Sequence, residues 1–200
     1  MVDLMSDIDV LISEVGPRDG LQSIESIMTS EAKRDWIKAE SAAGVREIEV
    51  GSFVPPKILP QLADTAEIVS FATSIPNLQV AALVPNFKGA ENAINAGVDK
   101  ITLPLSISES HSIANLRKTH QQVFEEIYKI VNLIISLPKD KRPHFEGSLS
   151  TAFGCTIEGK VEQKKVVKIA EKLIEMGCDE VGLADTTGYA NPYQIKSMIN

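Results

Sequence analysis

The sequence has few cysteines, a deficit of basic residues and no long apolar run. Cys155 and Cys178 are the 2 cysteines among 200 residues. They are too few for a disulfide framework and lack the Cys-x-x-Cys spacing of a zinc site, which fits a reducing compartment. The formal net charge of -7 argues against sequence-independent binding to nucleic acid, because phosphate binding requires clustered Lys and Arg.

The apolar runs are too short for a membrane protein. No stretch holds the ~20 apolar residues that a membrane-spanning helix requires. The start, MVDLMSDIDV, has neither the basic nor the apolar segment of a secretory signal. We therefore expect no membrane partner, and a location in the cytoplasm, or in the mitochondrial matrix if this is a processed eukaryotic protein.

An internal repeat is the most informative feature that is present. Three segments align without gaps, and they read AGVREIEVGSF, AGVDKITLPLS and MGCDEVGLADT. Each predicts a helix that ends at a glycine, a charged turn and a short β-branched strand. Glycine takes the left-handed conformation after a helix without a Cβ penalty. The glycines in question are Gly44, Gly97 and Gly177.

Strands and helices alternate along the chain. The six predicted strands lie near Val10 to Glu14, Glu47 to Gly51, Gln79 to Val84, Lys100 to Leu105, His144 to Ser150 and Glu180 to Ala184. The clearest helical pattern runs from Asn115 to Leu137, and another runs from Val161 to Met176. Thr29 or Ser30 can cap the first helix. The alternation predicts βαβ units and a parallel sheet, as a barrel or as an open doubly wound sheet.

Two observations favour the barrel. The first βα loop lacks the Gly-x-Gly-x-x-Gly fingerprint of dinucleotide folds, and polar residues end several strands, as in TIM barrels. The predicted fold is therefore an α/β TIM (βα)8 barrel with about six βα units in this chain. Since a complete barrel needs ~250 residues, we expect residues 1–200 to be a single catalytic domain truncated in its sixth helix. Strand alternation turns Glu47 and Glu49 toward the barrel interior.

The first strand is followed by EVGPRDGLQ. Gly16 and Pro17 break the strand, so Arg18 and Asp19 can turn toward a common site at the barrel mouth. A carboxylate there suits Mg²⁺ or Mn²⁺, and a guanidinium can stabilise a developing oxyanion. The alternative is a solvated ion pair in a surface loop.

Two further carboxylates come from other strands. Glu49 is flanked by apolar residues, so it is expected to pair with a cation such as Arg18 or a metal, or to have a raised pKa. The alternative is that Glu49 is a purely structural ion-pair partner. Asp185 ends the sixth strand in LADTTG, where it can be catalytic or can simply stabilise a turn.

Loops after the second and fifth strands, SFVPPK and FGCTIEGK, lie near enough to the mouth to line a substrate pocket. The residues that we assign to substrate binding are Gln22, Ser52 and Cys155. Cys155 can be a nucleophile, or a packed thiol, because no His is paired with it by spacing. His111 can be a ligand or base, or part of the first turn of the fourth helix, with Ser110 or Ser112 as its cap.

Five motifs together resemble 3-hydroxy-3-methylglutaryl-CoA lyases of the DRE-TIM metallolyase superfamily. They are EVGPRDGLQ, IEVGSFVPPKILPQLAD, LVPNFKGAENAINAGVDKI, FGCTIEGK and MGCDEVGLADTTGYANP, and they run over essentially the whole chain. The related Claisen-type synthases usually carry a DTTLRDGEQ-like first strand, so the lyase branch is the better match.

The resemblance implies metal-dependent retro-Claisen cleavage of 3-hydroxy-3-methylglutaryl-CoA to acetyl-CoA and acetoacetate, in leucine catabolism and ketone-body formation. By position, Asp19 would bind the divalent cation and Arg18 would stabilise the enolate oxygen. Glu49 and Asp185 would be the acid/base and orienting carboxylates. An acyl-CoA is the implied partner, and a homodimer is the implied assembly.

This sequence also departs from the family. The His-x-His pair and the Asn of the family's metal site, and its catalytic Cys, would lie beyond Asn200. Ser23 and Ile24 stand where Asn-Glu is common, and Gly182 stands where some relatives have Ser. We expect the 200 residues alone to bind metal weakly and to turn over poorly. Two alternatives are a lyase for a longer 3-hydroxyacyl-CoA and a truncated, non-catalytic interaction module.

Overall fold

The structure, a computed structural model, describes residues 10–199. Residues 1–9 of the start, which lacks the segments of a secretory signal, lie outside this range. The strands are β1 (Ser13–Glu14), β2 (Glu47–Ser52), β3 (Gln79–Leu83), β4 (Lys100–Ser106), β5 (His144–Ser150) and β6 (Glu180–Leu183). The α-helices are α1 (Ser30–Ala42), α2 (Thr65–Ala72), α3 (Phe87–Ala96), α4 (Glu109–Leu116), α5 (His120–Ser136), α6 (Gln163–Met176) and α7 (Pro192–Ile199).

The six strands form one sheet in sequential order, β1-β2-β3-β4-β5-β6. The pairs β1 with β2, β2 with β3, and β5 with β6 are parallel. A doubly wound sheet reverses its strand order at a switch point, whereas a barrel adds each new strand beside the last one. The observed order is therefore the barrel order.

The chain divides into two compact units. Among the described residues, the first takes in 10–84 together with Glu91–Ile101, and the second takes in Pro85–Ala90 together with 102–199.

In the first unit, β2 packs its apolar face against α2, and α2 packs against α1. Ile48, Ile37 and Ile68 are fully buried there. Burial of each such side chain contributes roughly 1.5–3 kcal/mol. The other face of β2 carries Glu47, which lies 3.7 Å from Lys100 in a buried ion pair. The acidic and the apolar residues of β2 alternate and are all buried, and the orientation of the carboxylates toward the barrel interior stays a prediction.

In the second unit, α6 packs against β5 and β6, and α5 packs against α6. Both helices bury the apolar stripes that their periodicity predicts. The buried side chains are Val123, Ile127, Ile130, Val131 and Ile134 on α5, with Val166, Ile169 and Leu173 on α6. On β5 the buried residues Phe145, Gly147 and Leu149 alternate with half-buried polar ones.

The three repeat glycines follow their helices in the predicted conformation. The φ angles are 100° at Gly44, 87° at Gly97 and 103° at Gly177. Only glycine adopts this region freely, so the three αβ junctions could be predicted from the sequence.

The predicted helix from Asn115 to Leu137 is wrong in one respect, because it is two helices. Arg117 takes a left-handed φ of 55° and ends α4. Thr119 then caps α5 through a capping box with Gln122. Leu116 continues the apolar periodicity across this break. In the part of the chain described, no helix is long and apolar enough to cross a membrane.

Candidate active site

The turn after β1 presents Arg18 and Asp19. Gly16–Gly20 forms a single π-helical turn in which Pro17 is buried. The backbone N–H groups of Arg18 and Asp19 both donate to the Val15 carbonyl oxygen, at 3.1 and 2.7 Å. π-Helical turns are rare and occur often at functional sites. The predicted strand break at Gly16-Pro17 is confirmed.

The Arg18 guanidinium bridges two carboxylates. Its Nε donates to Glu49 Oε2 at 2.5 Å, and its Nη1 donates to Asp19 Oδ1 at 2.7 Å. The side chains are 15% exposed for Arg18, 5% for Glu49 and 57% for Asp19. Of the alternatives that the sequence leaves for Glu49, pairing with Arg18 is the one observed. One end of the guanidinium is fixed in the interior, and the Asp19 end is open to solvent.

Glu49 is positioned by a β-bulge. Between β2 and β3 the register shifts, so that Glu49 pairs with Ala81 and Gly51 pairs with Ala82. A Cβ added at Gly51 would lie 2.5 Å from Thr65 Oγ1, so only glycine fits beside the start of α2. Bulges next to active sites redirect side chains. Neither the bulge nor the Thr65 contact was predicted, because both depend on the packing of α2.

The other predicted substrate-binding residues of the first unit differ in exposure. Ser52 is buried; its N–H donates to Thr65 Oγ1 at 3.2 Å and its hydroxyl accepts the Val54 N–H at 3.4 Å. Gln22 is exposed, next to buried Leu21. Ser52 therefore supports its own loop, and Gln22 has its amide in solvent.

Asp185, in the second unit, stabilises the turn after β6. Its Oδ1 accepts the Tyr189 N–H at 2.9 Å, and its Oδ2 accepts the Ala190 N–H at 3.0 Å. The residue is exposed. The turn-stabilising alternative is therefore observed, and a catalytic role for the same carboxylate stays a prediction.

Cys155 lies in the tight loop after β5. The loop is closed by paired backbone hydrogen bonds between Cys155 and Gly159, both of 2.8 Å. Burial raises the pKa of the Cys155 thiol, but hydrogen bonds from the Ser108 hydroxyl and the N–H groups of Glu158 and Ile157 outweigh it, and the net pKa is below the ordinary value. Cys155 is thus buried, and its thiolate is stabilised by hydrogen-bond donors.

Cys178 has the opposite electrostatic environment, and this predicts that the folded protein loses stability at alkaline pH. Burial, with a smaller contribution from Asp179, raises the pKa of its thiol from 9.0 to about 12. The folded chain keeps a proton that the unfolded chain loses, so this contribution to stability is complete below pH 9 and is lost as the pH rises toward 12. Cys178→Ala should therefore lose about 1 kcal/mol less stability than the wild type between pH 8 and pH 10 in denaturant titrations.

Cys155→Ala is the matched control, since the pKa of the Cys155 thiol is lowered and its removal cannot reduce the alkaline loss. If Cys178→Ala and the wild type lose stability in parallel, the assignment of the alkaline loss to Cys178 is wrong.

Two of the three histidines, His111 and His120, support the end of β4. His111 Nδ1 lies 2.7 Å from Ser106 Oγ, and His120 Nε2 lies 2.7 Å from the Ser106 carbonyl oxygen. His111 is in the first turn of α4, as predicted. The predicted cap is wrong, because Ser108 rather than Ser110 or Ser112 accepts the His111 N–H, at 3.1 Å.

Gly182 leaves room for a carboxylate on β5. A Cβ at Gly182 would lie 2.2 Å from Glu146 Oε1 and 3.3 Å from Ser148 Oγ. A serine at this position would therefore require the flexible Glu146 side chain to move.

The described residues offer only part of a metal site. Among residues 10–199, no three His, Cys, Asp or Glu side chains are grouped so as to hold an ion. Asp19 is an exposed carboxylate of the type that Mg²⁺ and Mn²⁺ prefer, but Arg18 occupies one of its oxygens. One carboxylate does not make a metal site.

Comparison with known proteins identifies the lineage. The profile of the HMGL-like family matches residues 9–200. The chain belongs to the HMGL-like family. The HMGL-like chain is 36% identical over 95% of its length to hydroxymethylglutaryl-CoA lyase of Bacillus subtilis. It is 35% identical over 96% of its length to the human mitochondrial hydroxymethylglutaryl-CoA lyase. It spans 62% and 58% of these relatives.

Solved structures of other proteins share the fold. An HMG-CoA lyase from Acinetobacter baumannii, in complex with coenzyme A and 3-methylmalate, has a TM-score of 0.88 at 37% identity, over 94% of this chain and 60% of that one. The carboxyl transferase domain of Rhizobium etli pyruvate carboxylase, at 15% identity and a TM-score of 0.66, shares the fold alone. The predicted fold, a TIM barrel with six βα units in this chain, is confirmed.

Proposed function

We propose that the complete protein is a carbon-carbon lyase that cleaves 3-hydroxy-3-methylglutaryl-CoA to acetyl-CoA and acetoacetate. The observation that carries this proposal is the Arg18 guanidinium, which is fixed by buried Glu49 and opens to solvent beside Asp19. It lies at the carboxyl end of β1, in a chain 36% identical to lyases of this name. Carboxyl ends of strands are where TIM-barrel enzymes carry their catalytic residues.

The proposed reaction begins at the C3 hydroxyl of the substrate. A carboxylate takes the hydroxyl proton, the C3 oxygen becomes the ketone of acetoacetate, and the C2–C3 bond breaks. The electron pair of that bond moves to C2 and forms the enolate of acetyl-CoA, which is then protonated at C2. One proton leaves the hydroxyl and one returns to carbon, so the reaction has no net proton change.

Arg18 is proposed to stabilise the negative charge on the thioester oxygen of that enolate. A fixed cationic donor in a partly buried site acts without reorganising during the reaction. Glu49 is proposed as the orienting carboxylate, since its oxygen already holds Arg18 Nε. Asp185 is proposed as the carboxylate that takes the hydroxyl proton, and Gln22, Ser52 and Cys155 are proposed to contact the substrate.

The HMGL-like family is one of metal-dependent lyases. We propose Mg²⁺ or Mn²⁺ as the ion, with Asp19 as one oxygen ligand and the remaining ligands supplied by other residues of the complete protein. A bound cation would polarise the C3 hydroxyl and the free carboxylate of the substrate. Location in the cytoplasm or mitochondrial matrix, and assembly as a homodimer, are parts of the same proposal.

The test is a substrate series with the complete protein. Acetoacetate and acetyl-CoA should form from 3-hydroxy-3-methylglutaryl-CoA with Mg²⁺ or Mn²⁺, and should not form after chelation. Longer 3-hydroxyacyl-CoA substrates should be cleaved with lower kcat/KM. A higher kcat/KM for a longer substrate would replace the proposed substrate with the longer one. Absence of cleavage for the whole series would favour the interaction module.

A further inference from the structure

Thr151, the first residue after β5, has an unfavourable backbone conformation. Its φ is 58°, and the residue is completely buried. The other non-glycine residues with positive φ in the described range are Asn77 and Arg117. A β-branched residue rarely adopts this conformation, because its Cβ substituents crowd the backbone. Such strain persists only where surrounding contacts determine it, and it concentrates at functional sites.

Two hydrogen bonds hold Thr151 in place, one on each side. Its Oγ1 accepts the backbone N–H of Ser108, at 3.2 Å, from the loop after β4. Its own N–H donates to Thr186 Oγ1, at 2.8 Å, in the loop after β6. Ser108 is also completely buried, so its N–H depends on the Thr151 hydroxyl for a partner.

The backbone continues the same connection. The Ile107 N–H donates to the Ser150 carbonyl oxygen at 2.9 Å, and the Ala152 N–H donates to the Ala184 carbonyl oxygen at 3.2 Å. Thr151 therefore lies where hydrogen bonds join the carboxyl ends of β4, β5 and β6. Its side chain accepts one of these hydrogen bonds, and its backbone N–H donates another.

Both residues that Thr151 binds adjoin predicted site residues. Thr186 follows Asp185, whose carboxylate accepts the Tyr189 and Ala190 N–H groups. The Ser108 hydroxyl is a hydrogen-bond partner of the Cys155 thiol. A displacement of Thr151 would therefore reach both loops.

We propose that Thr151 is a positioning residue for the reaction: its strained backbone and its hydroxyl hold the loop of Asp185 and the loop of Cys155 in register. The catalytic part of this inference rests on the proposed function. The positional part is independent of it, because it concerns hydrogen bonds that can be measured without substrate.

The test compares three variants of the full-length protein. Thr151→Ser keeps the hydroxyl, Thr151→Val keeps the shape but removes the acceptor, and Thr151→Gly removes both the hydroxyl and the strain. Hydrogen exchange is measured for the peptide that contains Ser108, whose N–H bonds to the Thr151 hydroxyl, and for the peptide that contains Tyr189 and Ala190. We expect about tenfold faster exchange of the Ser108 peptide in Thr151→Val and Thr151→Gly and wild-type exchange in Thr151→Ser, because the buried Ser108 N–H loses its acceptor. The Tyr189 and Ala190 peptide should exchange faster by a smaller factor, because the Thr151 N–H still bonds to Thr186 but from a displaced backbone.

Kinetics give the second readout. Thr151→Val should lower kcat at least about tenfold with a smaller change in KM and a changed pH profile of kcat, and Thr151→Ser should retain the wild-type profile. The control is Thr73→Val, which removes a hydroxyl that bonds only within its own helix end, to the Val69 and Ser70 carbonyl oxygens.

The outcomes separate the two proposals. If the wild type does not cleave the substrate, the proposed function fails, and hydrogen exchange still decides the positional inference. Unchanged exchange in Thr151→Val and Thr151→Gly overturns the inference. So does a Thr151→Ser variant that behaves like Thr151→Val, since the methyl group would then be the part that matters.

Discussion

Arg18→Gln is expected to lower kcat for cleavage by about two orders of magnitude or more. The guanidinium supplies the fixed positive charge that the enolate needs, and glutamine can donate a hydrogen bond but carries no charge. Steady-state kinetics on the complete protein measure the effect, which should appear in kcat more than in KM. Arg18→Lys should also be impaired, because an ammonium cannot bind Glu49 and Asp19 through separate nitrogens.

Loss of Arg18 also removes an ion pair from the buried Glu49, so a stability effect must be separated from a catalytic one. The double variant Arg18→Gln/Glu49→Gln removes both charges, and it should recover stability without recovering kcat. Arg34→Gln is the matched control, since Arg34 pairs with Glu67 at an exposed position. Near wild-type kcat in Arg18→Gln, or recovery of kcat in the double variant, would remove Arg18 from the proposed mechanism.

The strand order of the fold was predictable because its signals are local. Gly44, Gly97 and Gly177 each mark a helix end that only glycine forms without strain, and a β-branched strand follows each one. Three copies of one junction determine the alternation of helix and strand. The barrel follows from that alternation and from the absence of a dinucleotide fingerprint in the first loop.

Element ends were less predictable where two local signals compete. The apolar residue Leu116 extends a helical periodicity across the break at Arg117. The residues of the capping box, Thr119 and Gln122, were present in the sequence, but hydrophobic periodicity alone does not detect a cap. Similarly, β1 is shorter than its apolar run, because Val10 and Ile12 are exposed and make no ladder.

The charged residues of the candidate site were predictable from the sequence, but the backbone features that position them were not. Arg18 could be named from the sequence as a possible partner of Glu49, because a carboxylate buried within a strand needs a cation. The β2 bulge and the strained Thr151 were missed. Each depends on a contact with a residue from a separate element, Thr65 or Ser108, and no spacing within the sequence encodes such a contact.

Lys33→Ala is expected to destabilise the protein by about 3–5 kcal/mol. Lys33 lies on the buried face of α1, where its Nζ donates to Asp64 Oδ1 at 2.5 Å and to the Gln61 carbonyl oxygen at 2.6 Å. Asp64 Oδ2 accepts the Ser30 hydroxyl at 2.8 Å. Removal of the ammonium leaves Asp64 without its cation and opens a cavity under α1, so both losses act in the same direction.

Denaturant titration of the full-length protein measures this change, and Lys38→Ala on the same helix is the control. Lys38 is 59% exposed and pairs with Asp35, so its removal should cost less than about 1 kcal/mol. The double variant Lys33→Met/Asp64→Leu should recover most of the stability, because apolar side chains can replace a buried ion pair. If Lys33→Ala costs no more than Lys38→Ala, the buried pair does not hold α1 to the segment before α2.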